Sequence, residues 1–299
     1  MTYMWEEVFE YSFDRKGPSK KEWLGGKANP QICKFCGKGE PEITFSAKAH
    51  VIAKAFGNRT LLSRRECDAC NHEAGETIED DLVKSLSLIR AIAGHRSHRG
   101  SVRHQLRKKG SSISSRVDSN IVTVELYQGE RNIIVQEFEN NEFELKVKIP
   151  SFRPANVARA LARMALFVLD LDTDPNLHRV CQWVRRELDL FPLKYQQLFL
   201  CGMWPRRVVL SVSRSLPGSG LPPYRVIFAY SITALIMYLP EANGTFPSKL
   251  PPLTLPSFFS SYEPELYEIM ITGDCIIKNA TQSIILQYGE REGSLNPKA

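Results

Sequence analysis

The sequence predicts an α+β protein, with a small metal-stapled module near the N-terminus and a larger domain of antiparallel strands and helices behind it. Three observations carry that prediction. Four cysteines fall into two Cys-x-x-Cys pairs, Cys33/Cys36 and Cys67/Cys70, a pattern in which two tight turns face four thiolates toward one zinc ion. Beyond residue 120, Phe143, Leu145, Val147 and Ile149 alternate with Glu142, Glu144, Lys146 and Lys148, the period of a half-buried strand. After them Val157, Leu161, Met164 and Val168 recur at helical spacing. With 299 residues and 43% hydrophobic content, the chain can bury a sizeable core and form two domains.

Between the cysteine pairs the chain reads Ala49-His50-Val51-Ile52-Ala53-Lys54-Ala55-Phe56-Gly57-Asn58, and Asn71 follows Cys70 directly. Phosphodiester hydrolysis needs an imidazole to deprotonate water and an oxygen ligand for a divalent cation, and this stretch holds both residue types. A helix is predicted across the second pair. Asp68 is its capping side chain, Glu73, Glu76, Glu79 and Asp80 bring acid toward its N-terminal end, and Ile78, Leu82, Leu86 and Ile89 keep its apolar spacing. Each residue also has a plainer role: a buried thiol, a structural His50, an Asn71 that caps a helix, an Asn58 that serves a turn after Gly57. The ordered set, more than any one member, points to catalysis.

Taken in order, Cys-Lys-Phe-Cys-Gly, Ala-His-Val-Ile-Ala-Lys-Ala-Phe-Gly-Asn, Glu-Cys-Asp-Ala-Cys-Asn and Ile78-Glu79-Asp80-Asp81-Leu82 resemble the HNH endonucleases whose metal finger is braced by a four-cysteine zinc site. The resemblance covers about the first third of the chain. It implies a treble-clef-like ββα-metal module, with a strand ending at His50, a loop carrying Asn58, a second strand over residues 60–64 and a helix opening at Cys70 and Asn71. It further implies His50 as general base, Asn58 as the brace of the His50 loop, and Asn71 as a ligand of a catalytic Mg²⁺ or Mn²⁺. Cys33, Cys36, Cys67 and Cys70 would hold structural zinc, and the products would carry 5′-phosphate and 3′-hydroxyl ends.

One departure from the family is Ala49, where many members place an acidic metal ligand. Either the ion keeps more water, which Mg²⁺ accepts, or a carboxylate arrives from elsewhere. Glu79, about two helical turns beyond Asn71, ranks ahead of Asp80 and Glu42 for that place.

The net charge of +6 is unevenly spread. Residues 82–117 contain no acidic side chain, while Arg96, Arg99, Arg103, Arg107, Lys108 and Lys109 accumulate there among His95, His98 and His104. Such a block seeks polyanions, which makes these six residues candidate DNA contacts, salt-sensitive and blind to base sequence. A solvated linker is the plainer reading, and Gly94, Gly100 and Gly110 give the block the character of a partly flexible connector. The domain reading is therefore 1–92 as the nuclease module with zinc, 93–119 as a basic connector, and 120–299 as an α+β domain for sensing, dimerisation or DNA binding.

Within that last part an antiparallel meander is predicted over residues 121–149, helices after Pro154 and Pro175, and strands over 198–203, 207–213 and 224–230. Arg159 and Arg163 stand off the apolar stripe of the first helix. Cys181 falls on a helical apolar stripe, and Cys201 and Cys275 lie in strand-like runs, a free-thiol pattern suited to a reducing cytoplasm. The apolar run 226–239 is too short to span a bilayer and reads as a buried strand or helix, and the start of the sequence does not read as a signal segment.

These features together predict a metal-dependent HNH DNA endonuclease or nickase of weak sequence specificity. Similar zinc-braced modules are fused to sensing domains in bacterial anti-phage systems, a likeness that implies a defence role with other defence proteins or a second copy as partners and no membrane. The alternative is a catalytically disarmed, zinc-containing nucleic-acid-binding or interaction subunit, for which Ala49 is the argument.

Overall fold

The computed structural model describes residues 5–14, 20–26, 30–94, 96–97, 100–105, 110–115, 122–127, 133–138, 142–189, 193–200, 207–240, 264–271 and 273–287. The first strand, β1 (Trp5–Asp14), precedes a small sheet of β2 (Glu22–Leu24), β3 (Ala49–His50) and β4 (Leu61–Ser63), ordered β2-β4-β3. A 3-10 turn, Lys54–Phe56, separates β3 from β4. Three short helices follow, α1 (Asp68–Glu76), α2 (Ile78–Ser85) and α3 (Ser87–Ala93). Next come β5 (Arg96–Ser97), β6 (Gly100–Ser101), β7 (Arg103–Gln105), β8 (Ser112–Ser115), β9 (Val122–Glu125), β10 (Ile133–Glu137) and β11 (Glu142–Lys148). Helices α4 (Pro154–Val168) and α5 (Asn176–Val184) lead to β12 (Leu193–Leu200), β13 (Arg207–Ser215), β14 (Tyr224–Tyr230), β15 (Thr233–Tyr238), β16 (Pro264–Ile271) and β17 (Thr281–Gln287).

The α+β class holds, with antiparallel sheets and few helices. Its largest sheet is antiparallel and runs β1-β13-β14-β15-β12-β16. Strand β1 therefore serves the C-terminal sheet and not a separate N-terminal module. Phe9, Tyr11 and Phe13 alternate with Glu10, Ser12 and Asp14 along it, and Phe13 reaches the core. The apolar run 226–239 becomes the β14–β15 hairpin, turned at Ser231, whose φ of 55° lies in the left-handed region. All of β14 and β15 is buried, which is why that stretch reads as continuous apolar sequence with no alternation.

Several boundaries differ from the sequence reading for local reasons. The predicted long helix breaks at Thr77 and Leu86; the Thr77 hydroxyl donates to the Glu73 carbonyl at 2.7 Å, a back-bond that competes with helix continuation. The predicted meander divides, because β9 pairs with β8 while β11 lies between β10 and β17. Part of the expected connector is folded: β7 and β8 pair with each other and β8 with β9, Ile113 is fully buried, and β8 packs on α3. His104, expected among exposed cations, is buried near the Lys148 carbonyl, and burial lowers its pKa. Cys181 lies in the core as predicted, whereas Cys275 is exposed in a loop.

Helix α4 organises the molecule. Pro154 at its first turn lacks only an N–H that would have no helical partner, and Ala155, Ala158, Ala160, Ala162 and Ala165 are small enough to let neighbours approach on all sides. It touches α2 and α5 as well as β13, β14, β15 and β16, so one hydrophobic core runs from Cys33 and Phe56 through α4 to Phe228 and Leu239. Asn156, Arg159 and Arg163, at spacings of three and four, line up on one face of α4. That face is buried, with Arg159 and Arg163 only 1% and 2% exposed. The Asn156 amide donates to Asp81 of α2 at 2.7 Å. Arg159 donates to the Trp183 carbonyl at 3.1 Å and to Asn156 at 3.0 Å. Arg163 makes a bidentate pair with Glu66 at 3.0 and 2.5 Å and a further bond to Glu79 at 2.5 Å.

Burial pushes the Glu66 carboxyl up and the Arg163 guanidinium pulls it down; with both oxygens accepting from the fork, the geometry is that of a carboxylate. Arg163→Met would leave Glu66 buried without its cation. Urea unfolding is expected to show a loss of about 3–5 kcal/mol, part of which returns when Glu66→Gln is added, whereas unchanged stability would contradict the pairing.

Candidate functional site

The two cysteine pairs meet at the start of α1. The first knuckle turns at Gly37, which takes φ 70°, with Gly37 N–H donating to the Cys33 carbonyl at 2.9 Å and Cys33 N–H to the Lys38 carbonyl at 2.8 Å. The second pair opens the helix. Cys67, not Asp68, is the N-cap, its sulfur accepting from Cys70 N–H at 3.5 Å, while Cys67 N–H donates to the Cys33 sulfur at 3.4 Å. Asp68 instead accepts from Ser46 N–H, Ala47 N–H and the hydroxyls of Thr44 and Ser46, which hold its carboxyl down at about 2 although burial opposes them. These bonds fasten α1 to the segment that leads into His50.

All four sulfurs lie within 4.8 Å of one another, and Cys36 Sγ is 3.9 Å from Cys67 Sγ. A tetrahedral zinc with bonds of about 2.3 Å needs sulfurs roughly 3.8 Å apart, so the residues fit the ion. Backbone N–H donors and a helix N-terminus aimed at the sulfurs favour the thiolate form that zinc requires.

His50 ends β3, paired opposite Leu62 of β4, and is 9% exposed. Its Nδ1 lies 2.8 Å from the Lys48 carbonyl. A carbonyl only accepts, so Nδ1 carries the proton and Nε2 keeps its lone pair. Burial, then the charges of Lys54, Arg163 and Lys48, push the imidazole down to about 4, against the Lys48 carbonyl bond that favours protonation. The ring is thus an oriented free base at neutral pH.

Asn58 is fully buried and holds the loop between β3 and β4. Its Nδ2 donates to the carbonyls of Ile52 at 2.8 Å and Leu61 at 2.9 Å; its Oδ1 accepts from Thr60 N–H at 3.1 Å and Leu61 N–H at 2.9 Å. A single amide thereby ties the residues after His50 to β4. Asn71 lies in the first turn of α1, its N–H bonded to the Cys67 carbonyl at 3.0 Å and its side chain half-buried.

The candidate acidic ligands all have cationic partners. Glu79 accepts from Arg163, Asp80 pairs with Lys84 at 2.6 Å and Glu42 pairs with Lys38 at 2.5 Å. Among the described residues, the four thiols form the group of three or more His, Cys, Asp or Glu able to share an ion, and neither His50 nor Glu79 enters it. Of the basic block, Arg103 lies on β7 with its guanidinium 3.5 Å from Glu125, and Arg96 lies in β5. Arg99, Arg107, Lys108 and Lys109 lie outside the described residues. Sequence reasoning missed Glu66 and Arg163, whose partnership spans 97 positions and leaves no local pattern.

Two outcomes are expected from this geometry. Cys67→Ser should release zinc and unfold the finger, since structural zinc contributes on the order of 10 kcal/mol; metal analysis and amide exchange of residues 33–76 would read it, and retained protection would contradict it. Asn58→Ala removes the amide's bonds to four buried backbone groups, of which the Leu61 carbonyl keeps Val51 N–H at 3.3 Å, and should cost about 3 kcal/mol in urea unfolding, a loss under about 1 kcal/mol being the contrary result.

Comparison with known proteins adds one finding on the same stretch: residues 33–87 match the model of a family described as HNH endonuclease. No curated protein and no solved structure matches the chain. The matched residues contain the four-thiol cluster together with His50, Asn58, Asn71 and Glu79, and cluster and match together support an HNH endonuclease module in the N-terminal part of this chain.

Proposed function

We propose that this chain is a metal-dependent DNA endonuclease or nickase in which His50 is the general base. The observation that carries the reading is the Nδ1 bond from His50 to the Lys48 carbonyl, which leaves Nε2 free to take a proton from water at neutral pH. Asn58 keeps that ring in place by closing the loop behind it. Asn71 would hold a Mg²⁺ or Mn²⁺ ion, and Glu79 would join it only by sharing its carboxylate with Arg163. When bound, the ion supplies positive charge at the phosphate and at the leaving 3′ oxygen. Zinc on Cys33, Cys36, Cys67 and Cys70 is structural in this reading, fixing α1, and hence Asn71, relative to β3.

The contacts expected from such a module are to phosphates, so cleavage is weakly sequence-specific. Among the described residues no helix is long and apolar enough to cross a membrane. A cytoplasmic setting follows from the free-thiol pattern. The anti-phage role, with other defence proteins or a second copy as partners, is an inference from likeness of architecture.

Cleavage of supercoiled plasmid by zinc-loaded protein in Mg²⁺, Mn²⁺ or EDTA tests the reading. Metal-dependent cutting should fall about 10²–10⁴-fold in His50→Ala, and Asn71→Ala should raise the metal concentration required. Cutting that survives His50→Ala would reject His50 as the base, and no cutting in any metal would favour a disarmed binding subunit with Ala49 in place of the acidic ligand. A base whose pKa is lowered stays unprotonated as pH falls, so kcat/KM should be flat from about pH 5.5 to 7.5. An acid limb centred near 6.5 would mark an ordinary histidine.

A further inference from the structure

We propose that Lys48 and Lys54 grip the two DNA phosphates on either side of the bond attacked at His50, an assignment that rests on the nuclease reading above. The chain from Ala49 to Ala53 is buried, and Lys48 and Lys54 are the exposed residues at its two ends. Two cations thus bracket the base, with only apolar side chains between them and it.

Both backbones are pinned. Lys48 lends its carbonyl to His50, while Ala47 N–H is held by Asp68 at 2.7 Å and Ala49 is paired with Ser63 on β4. Lys54 opens the 3-10 turn, which is fixed from three directions. Its own carbonyl accepts from Gly57 N–H at 3.0 Å, with Gly57 at φ 92°, a left-handed conformation suited to glycine. Arg90 donates twice to the Ala55 carbonyl, at 3.2 and 2.9 Å. Phe56 is fully buried with its ring 5.1 Å from Phe228 and 5.0 Å from Tyr230. The C-terminal sheet thereby sets where Lys54 stands.

The charge balance points to an anion. Three cations act on His50, and Arg163 is neutralised by Glu66 and Glu79. Lys48 and Lys54 have no ion pair with another described residue. Two uncompensated cations beside a neutral base attract a polyanion, and their places at the two ends of one pinned segment let each take its own phosphate.

Binding of a fluorescein-labelled DNA duplex, followed by anisotropy across a series of KCl concentrations, tests the assignment. All proteins carry His50→Ala so that binding is read without cleavage. Adding Lys48→Gln and Lys54→Gln should reduce the slope of log K against log salt by about 2, with zinc content and thermal midpoint unchanged. Lys48→Arg with Lys54→Arg should restore the slope, and Lys38→Gln with Lys278→Gln should leave it alone. Equal slopes in a protein that binds the duplex would overturn this assignment and leave the nuclease reading standing. No binding by the His50→Ala parent would overturn both.

Discussion

One buried guanidinium holds the parts of this protein to each other. Arg163 rises from α4, the helix at the centre of the core, and reaches Glu66, the neighbour of Cys67 in the four-thiol cluster, and Glu79 on α2. Its charged plane also lies 4.8 Å from the centre of the Phe167 ring and 5.8 Å from that of Phe35, between Cys33 and Cys36. Both cysteine knuckles and the following helix thus converge on one side chain of the C-terminal part. Taking such a group out of water is costly, and only a full set of partners offsets that cost. The pairing leaves little room for the finger to dock on α4 in any other register.

That constraint explains why the nuclease-like segment and the C-terminal sheet form one core. The docking continues through Asp81 to Asn156, Arg90 and Phe56 to the sheet, and Tyr11 of β1 to Thr60 at 3.0 Å. Residues on both sides of the match to the HNH model therefore contribute to the backbone geometry around His50. The imidazole is placed by β3 and β4, its tautomer is chosen by a neighbouring carbonyl, and its basicity is set by burial and nearby cations.

Much of this was legible in sequence where the determining contacts are local. The two Cys-x-x-Cys turns are short-range features, and the thiols do come together. The α+β class and the positions of α4 and β11 were readable from period, and those of β13 and β14 from apolar runs bounded by Pro- and Gly-rich loops. What escaped depends on distant partners. Phe9, Tyr11 and Phe13 carry a strand alternation, but nothing nearby in sequence announces that β1 pairs with β13 some two hundred residues later. Arg159 and Arg163 lie off the apolar stripe of α4 and so look like solvent-facing residues until their distant partners are known. Thr77 interrupts the predicted helix through its own side chain, a competition that apolar periodicity does not register. The basic stretch after α3 resembled a linker because Ile113 is the single apolar residue of β8, set among serines, and its burial depends on α3 and the paired strands.

The central claim is that the fold presets His50 as an oriented, unprotonated base. Nitrogen-15 NMR of the histidine rings across a pH series tests it most directly. The account predicts that His50 carries its proton on Nδ1 at neutral pH and gains a second one only well below pH 6. A proton on Nε2, or a midpoint near 6.5, would contradict it.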